Sequence, residues 1–125
     1  MILKFLDEEH ENFYSDMVLR THSEEDVYRK AFFYALGLTD ETRRHIDSLY
    51  GFTGKCINFT GFSAAWQTGT SIKVTRLAFN LFNGFTGEDV KDTNANHYSP
   101  EDLFACNLAK YMFEAVKLRY PDYCR

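Results

Sequence analysis

Trp66-Gln-Thr-Gly-Thr-Ser-Ile-Lys-Val-Thr-Arg-Leu-Ala-Phe-Asn-Leu-Phe-Asn-Gly84 is the stretch whose reading decides the fold. At ~100° per residue, Thr70 to Asn83 separates into two unequal arcs. Lys73, Arg76, Asn80 and Asn83 recur at i, i+3, i+7 and i+10 and make one narrow polar stripe. Val74, Leu77, Ala78, Phe79, Leu81 and Phe82 fill most of the remaining circumference. A helix with so wide an apolar arc is covered on several sides, leaving one strip for water or a partner.

Working outward, the same capping logic marks four more helices. Asp7 caps the first, with Glu8, Glu9 and Glu11 in its opening turn and Phe13, Tyr14, Met17 and Val18 on its buried face. Ser23 before Glu24-Glu25-Asp26 predicts the start of a second. Val27 to Leu36 lines that helix almost all round, Tyr28 included, and Gly37 stops it. Thr39-Asp40-Glu41 opens a short third helix through His45, Ile46, Leu49 and Tyr50. Ser99-Pro100-Glu101-Asp102 opens a last one that runs to Pro121 with its own stripe, Asn107, Lys110, Glu114 and Lys117. Residues 51–69 are a connector with at most one short strand near 56–59. Phe-Thr-Gly recurs at 52–54, 59–61 and 85–87. This reads as one local solution used three times: Phe plugs the core, Thr bonds to backbone and Gly turns the chain. The expectation is an all-α bundle of about five helices forming one domain over residues 1–125.

Composition narrows the function classes. Hydrophobic residues are 45% and aromatics 17% of the chain, more than one core of this size needs, so self-association or a protein partner is expected. The net charge of −4 lacks the basic excess of a general nucleic-acid binder. Acidic residues gather at 7–11, 24–26, 40–41 and 88–92, while 48–87 contains none. That leaves Lys55, Lys73 and Arg76 with few counter-charges nearby in sequence. Three cysteines, Cys56, Cys106 and Cys124, form no C-x-x-C pair. With no signal sequence and no apolar run near ~20 residues, the protein is expected in the cytoplasm and off the membrane.

Several residue sets carry candidate chemistry. The Gly69-Thr70-Ser71 helix start, with Lys73, Arg76, Asn80 and Asn83 beyond it, would suit an anion or a partner's carboxylate. Its bland reading is a Thr or Ser cap followed by solvated charges. Asp7 with His10 and Glu41 with His45 share helix faces, and their convergence would make a nitrogen–oxygen metal site. Cys56 with His45 or His97 is a rival set. No nucleophile elbow occurs, and Cys106 reads as a buried, inert thiol. Trp66 reads as a core plug or, alternatively, an interface anchor. No catalytic residue and no cofactor is assigned.

Phe5-Leu-Asp-Glu-Glu-His10 with Phe13-Tyr14, the 66–84 stretch, and Glu114-Ala-Val-Lys-Leu-Arg-Tyr-Pro121 resemble a family of small uncharacterised proteins of Gram-positive, largely clostridial, genomes and mobile elements. The resemblance spans nearly the whole chain. It implies a bacterial or phage cytosolic origin and brings no activity or site residues. Two readings stand. The first is a non-enzymatic accessory protein that binds another protein, such as an anti-CRISPR or other inhibitor of a bacterial defence nuclease. The alternative is a small-ligand or nucleotide-phosphate binder at the central helix N-terminus, with a metal protein on His10 and His45 as a third.

Overall fold

The computed structural model describes residues 2–92 and 94–124, and it is mostly helical. Six helices are present among the described residues: α1 Glu8–Arg20, α2 Val27–Leu36, α3 Asp40–Arg44, α4 Gly69–Asn83, α5 Pro100–Leu103 and α6 Ala109–Arg119. Between α3 and α4 lies a hairpin of two-residue strands, β1 Tyr50–Gly51 and β2 Cys56–Ile57. They run antiparallel with Tyr50 opposite Ile57 and Gly51 opposite Cys56. The single strand expected near 56–59 thus has a partner, in the residues expected to end the third helix.

The most engulfed helix is α2 rather than α4. Ala31 to Leu36 are six consecutive residues with no exposed surface, packed among α1, α4 and α6. A helix buried this deeply must have its terminal carbonyls satisfied by protein, since water cannot reach them. Each is. Phe33 O accepts from Gly37 N at 3.0 Å and Ala35 O from Leu38 N at 3.0 Å. Tyr34 O takes His10 Nε2 at 2.8 Å, Leu36 O takes the Thr42 hydroxyl, and Gly37 O takes Arg43 Nη1 at 2.7 Å. Gly37 is right-handed (φ −73°), so it is not the left-handed stop its position suggested. Its missing Cβ matters because that atom would lie 2.6 Å from His10 Cδ2.

Two boundaries differ from the sequence reading. Asp26, not Ser23, caps α2, accepting from Tyr28 N at 3.0 Å and Arg29 N at 3.1 Å while pairing with Arg29 Nη1 at 2.9 Å. A carboxylate serving two N–H groups and a guanidinium outcompetes the Ser23 hydroxyl, which is buried against Thr21 Oγ1 at 2.5 Å. The expected last helix is two, α5 and α6. In a continuous helix Asp102 O would accept from Cys106 N; instead it accepts from Ala105 N at 3.3 Å, in a tightened turn, and from Lys73 Nζ at 2.5 Å. The chain bends through Phe104–Leu108 before α6 begins.

The α4 reading holds: Val74, Leu77, Ala78, Phe79 and Leu81 are buried, and Gly84 ends the helix left-handed at φ 80°. Phe79 is an aromatic hub, with Phe32, Phe59, Phe62 and Phe85 within 6.0 Å between ring centroids. Phe59 and Phe85 of the recurring tripeptide therefore do plug the core. The threonines do not follow the expectation: Thr53, Thr60 and Thr86 are exposed and their hydroxyls bond to nothing among the described residues. Thr68 begins α4 through a reciprocal cap, its Oγ1 accepting from Ser71 N at 3.0 Å and its N donating to Ser71 Oγ at 2.7 Å. Thr68→Ala removes the first of these and is expected to lower unfolding stability by about 1 kcal/mol in urea titration.

Candidate functional site

The polar ribbon of α4 is a seam. Lys73 Nζ meets Asp102 Oδ1 at 2.7 Å, and Arg76 Nε meets Asp92 Oδ2 at 3.0 Å. Asn80 Nδ2 donates to Phe85 O at 3.0 Å, and Asn83 Oδ1 accepts from Phe85 N at 3.1 Å. All four residues hold the 84–103 segment onto the helix. At the N-terminus, Thr70 is half-buried and Ser71 is buried, with its hydroxyl on Gln67 Oε1 at 2.5 Å. A ligand at this helix start would have to displace these partners. The counter-charges missing nearby in sequence arrive from the acidic stretch at 88–102.

Asp92 is the centre of that seam. It receives Arg76 Nε, His97 Nδ1 at 2.7 Å and the Tyr98 hydroxyl at 3.1 Å. Burial pushes its carboxyl up, and the bonds from His97, Arg76 and Tyr98 outweigh that and hold it below the usual carboxylate range. Burial and the Asp92 charge push the Tyr98 phenol up. No serine, threonine or cysteine side chain bonds to a histidine ring among the described residues.

The histidines proposed as ligands are spent elsewhere. His10 is fully buried, accepting Leu6 N at Nδ1 (3.1 Å) and donating from Nε2 to Tyr34 O. Asp7 caps α1 through His10 N at 2.8 Å. The His45 ring stacks on Trp66, centroids 4.4 Å apart and 8° from parallel, so Trp66 closes against a histidine at the edge of the core. Glu41 is half-buried in α3, and Cys56 is exposed in the hairpin. Among the described residues no three His, Cys, Asp or Glu side chains gather to hold a metal ion. Cys106 is half-buried with Sγ 3.8 Å from Met112 Sδ, not fully enclosed as its helical position suggested.

The surface feature sequence reasoning missed is aromatic. Arg119, at the end of α6, donates from Nε to Leu81 O at 2.9 Å, where the C-terminal carbonyls of α4 attract a cation. This fixes its guanidinium 3.9 Å from the Tyr28 ring centroid and 4.5 Å from that of Tyr120. Both rings stay open, Tyr28 46% and Tyr120 38% exposed. Tyr28 was expected on the buried face of α2; it sits in the first turn, where the helix emerges from the core. Elsewhere on α6, Phe113 packs its ring 4.7 Å from Phe104 and is 48% exposed. The signal was present: Phe113 lies three residues after Lys110 and four before Lys117, inside the polar stripe. Tyr28, Arg119 and Tyr120 make an amphipathic surface with a fixed arginine.

A family of unknown function (DUF6075) matches the chain over residues 1–125. No curated protein and no solved structure matches it.

Proposed function

The chain belongs to that family of unknown function, and from this premise we propose that it is a non-enzymatic accessory protein that binds another protein through Tyr28, Arg119 and Tyr120. One observation carries the reading: an arginine immobilised against two half-open tyrosines. Tyr and Arg are the residue types that dominate binding energy at protein interfaces. A guanidinium already held by Leu81 O and two rings loses little freedom when a partner covers it.

The partner class proposed is a bacterial defence nuclease, inhibited in the manner of an anti-CRISPR. Glu8, Glu11, Glu24, Glu25, Glu88 and Asp89 are exposed and enter no ion pair among the described residues. Such carboxylates suit a basic nucleic-acid channel, steering the encounter while the aromatic face anchors it. The resemblance to clostridial and mobile-element proteins supports a cytoplasmic setting of that kind. No helix among the described residues is long and apolar enough to cross a membrane.

The test is cleavage by a panel of defence nucleases with the protein added at near-equimolar ratio. Wild type should suppress one of them, and Tyr28→Ala with Tyr120→Ala should weaken suppression by at least about tenfold. Both side chains are partly exposed, so the melting temperature should barely move. Cleavage that persists at large excess for every class overturns the inhibitor reading. Suppression untouched by the double substitution overturns the surface.

A further inference from the structure

Away from the aromatic face, the end of α1, the 21–26 turn and the hairpin enclose a cleft of about 340 Å³. Arg20, His22, Asp26, Arg29, Tyr50, Phe52 and Lys55 line it with Thr21. We infer that this cleft binds a small phosphate monoester, gripped by Arg20, Arg29 and Lys55.

Charge is the first argument. Three permanent cations line the cleft against one carboxylate, Asp26, in a protein whose net charge is −4. Glu24 and Glu25 lie on the same turn but do not line the cleft. The remaining excess of two positive charges matches a phosphate monoester, which carries about −1.5 to −2 at neutral pH. Unspent donors are the second argument. Arg29 uses three N–H groups, on Tyr50 Oη at 2.9 Å, Asp26 Oδ2 at 2.9 Å and Lys55 O at 2.5 Å. A guanidinium has five. Arg20 and the Lys55 ammonium have no hydrogen-bond acceptor or carboxylate among the described residues. The third argument is preorganisation. Arg20 is laid on the Phe52 ring at 3.8 Å from its centroid, and Arg29 is fixed by its three bonds. The unspent Arg20 fork can give parallel N–H···O bonds to phosphate oxygens, and the two remaining Arg29 N–H groups and the Lys55 ammonium can add single ones. Finally, the rim is held by two non-glycine residues in left-handed backbone, His22 at φ 54° and Lys55 at φ 58°. That conformation is uncommon outside glycine and is retained where the fold fixes it.

Isothermal titration of the full chain at low ionic strength tests this, using inorganic phosphate, AMP and adenosine as probes. Phosphate and AMP should bind and adenosine should not. Arg20→Met and Lys55→Met keep exposed side chains of similar length, so the fold survives, and each should weaken AMP binding at least about tenfold. Lys4→Met, an exposed lysine that does not line the cleft, is the control for general electrostatics and should change nothing. Three results would each overturn the inference: no heat from either anion at millimolar concentration, equal binding of adenosine and AMP, or equal weakening by Lys4→Met. Binding here leaves the nuclease assay unaffected, so the two proposals fail separately.

Discussion

Asp92→Ala should destabilise the protein by about 3 kcal/mol, measured by urea unfolding at pH 7, because it strands a nearly enclosed cation. The Arg76 side chain is 13% exposed and the Asp92 side chain 11%, so water replaces little of what the substitution removes. Three donors, from Arg76, His97 and Tyr98, lose their common acceptor at once. The cost is therefore that of an uncompensated charge, and it should shrink when the charge is removed too. Arg76→Met in the Asp92→Ala background should recover a large part of the loss, since replacing a whole buried pair by apolar groups is often nearly neutral. Equal destabilisation by the single and double variants would refute this account of the seam. Residues 88–92 and 94–99 should also become the first region to exchange their amide protons, because their tie to α4 runs through Asp92, whereas Phe85 keeps its own bonds to Asn80 and Asn83.

The seam shows what could be read in the sequence and what could not. The helical period of 70–83 and its caps are local, so the α4 boundaries and buried arc were legible from the residue pattern. The polar ribbon was legible as a ribbon, but its purpose lay in Asp92 and Asp102, and pairing across 16 and 29 residues leaves no periodic trace. The same reason explains the split of the last helix. The break within 99–119 coincides with Lys73 donating to the Asp102 carbonyl from another helix, a contact no local pattern displays. Asp26 replacing Ser23 as the α2 cap is a competition between two good local signals, decided by Arg29. Of the candidate sites, Tyr28 was hidden by the assumption that every ring on α2 faces inward. The cleft at Arg20, Arg29 and Lys55 joins three elements that no single stretch displays together.

His10 is the second position where one side chain decides much of the stability. Nδ1 accepts from Leu6 N, so the proton sits on Nε2 and is donated to Tyr34 O. Replacing His10 by alanine orphans that carbonyl at the buried end of α2 and the Leu6 N–H, and it empties the space against Gly37. An unsatisfied buried carbonyl, a half-buried N–H left without its acceptor and a cavity together should cost about 4 kcal/mol. A protein of this size has only about 5–15 kcal/mol to lose, so the variant should be marginal at 37 °C. Protonation is a gentler version of the same change, because a charged imidazole would have to give up its acceptor role at Nδ1. Desolvation lowers the His10 pKa below the usual value of 6.5, outweighing the Tyr34 carbonyl and Asp7, which raise it. The unfolded chain then binds the proton first as pH falls, so this contribution is complete above about pH 6.5 and is lost as pH drops through the folded value. Asp26, Asp92 and Asp102, whose carboxyls are held low, lose theirs only below about pH 4. Urea midpoints of the wild type should therefore decline in two separate steps on acidification. His10→Gln should lack the upper step and keep the lower one; retention of both would show that another group sets the first.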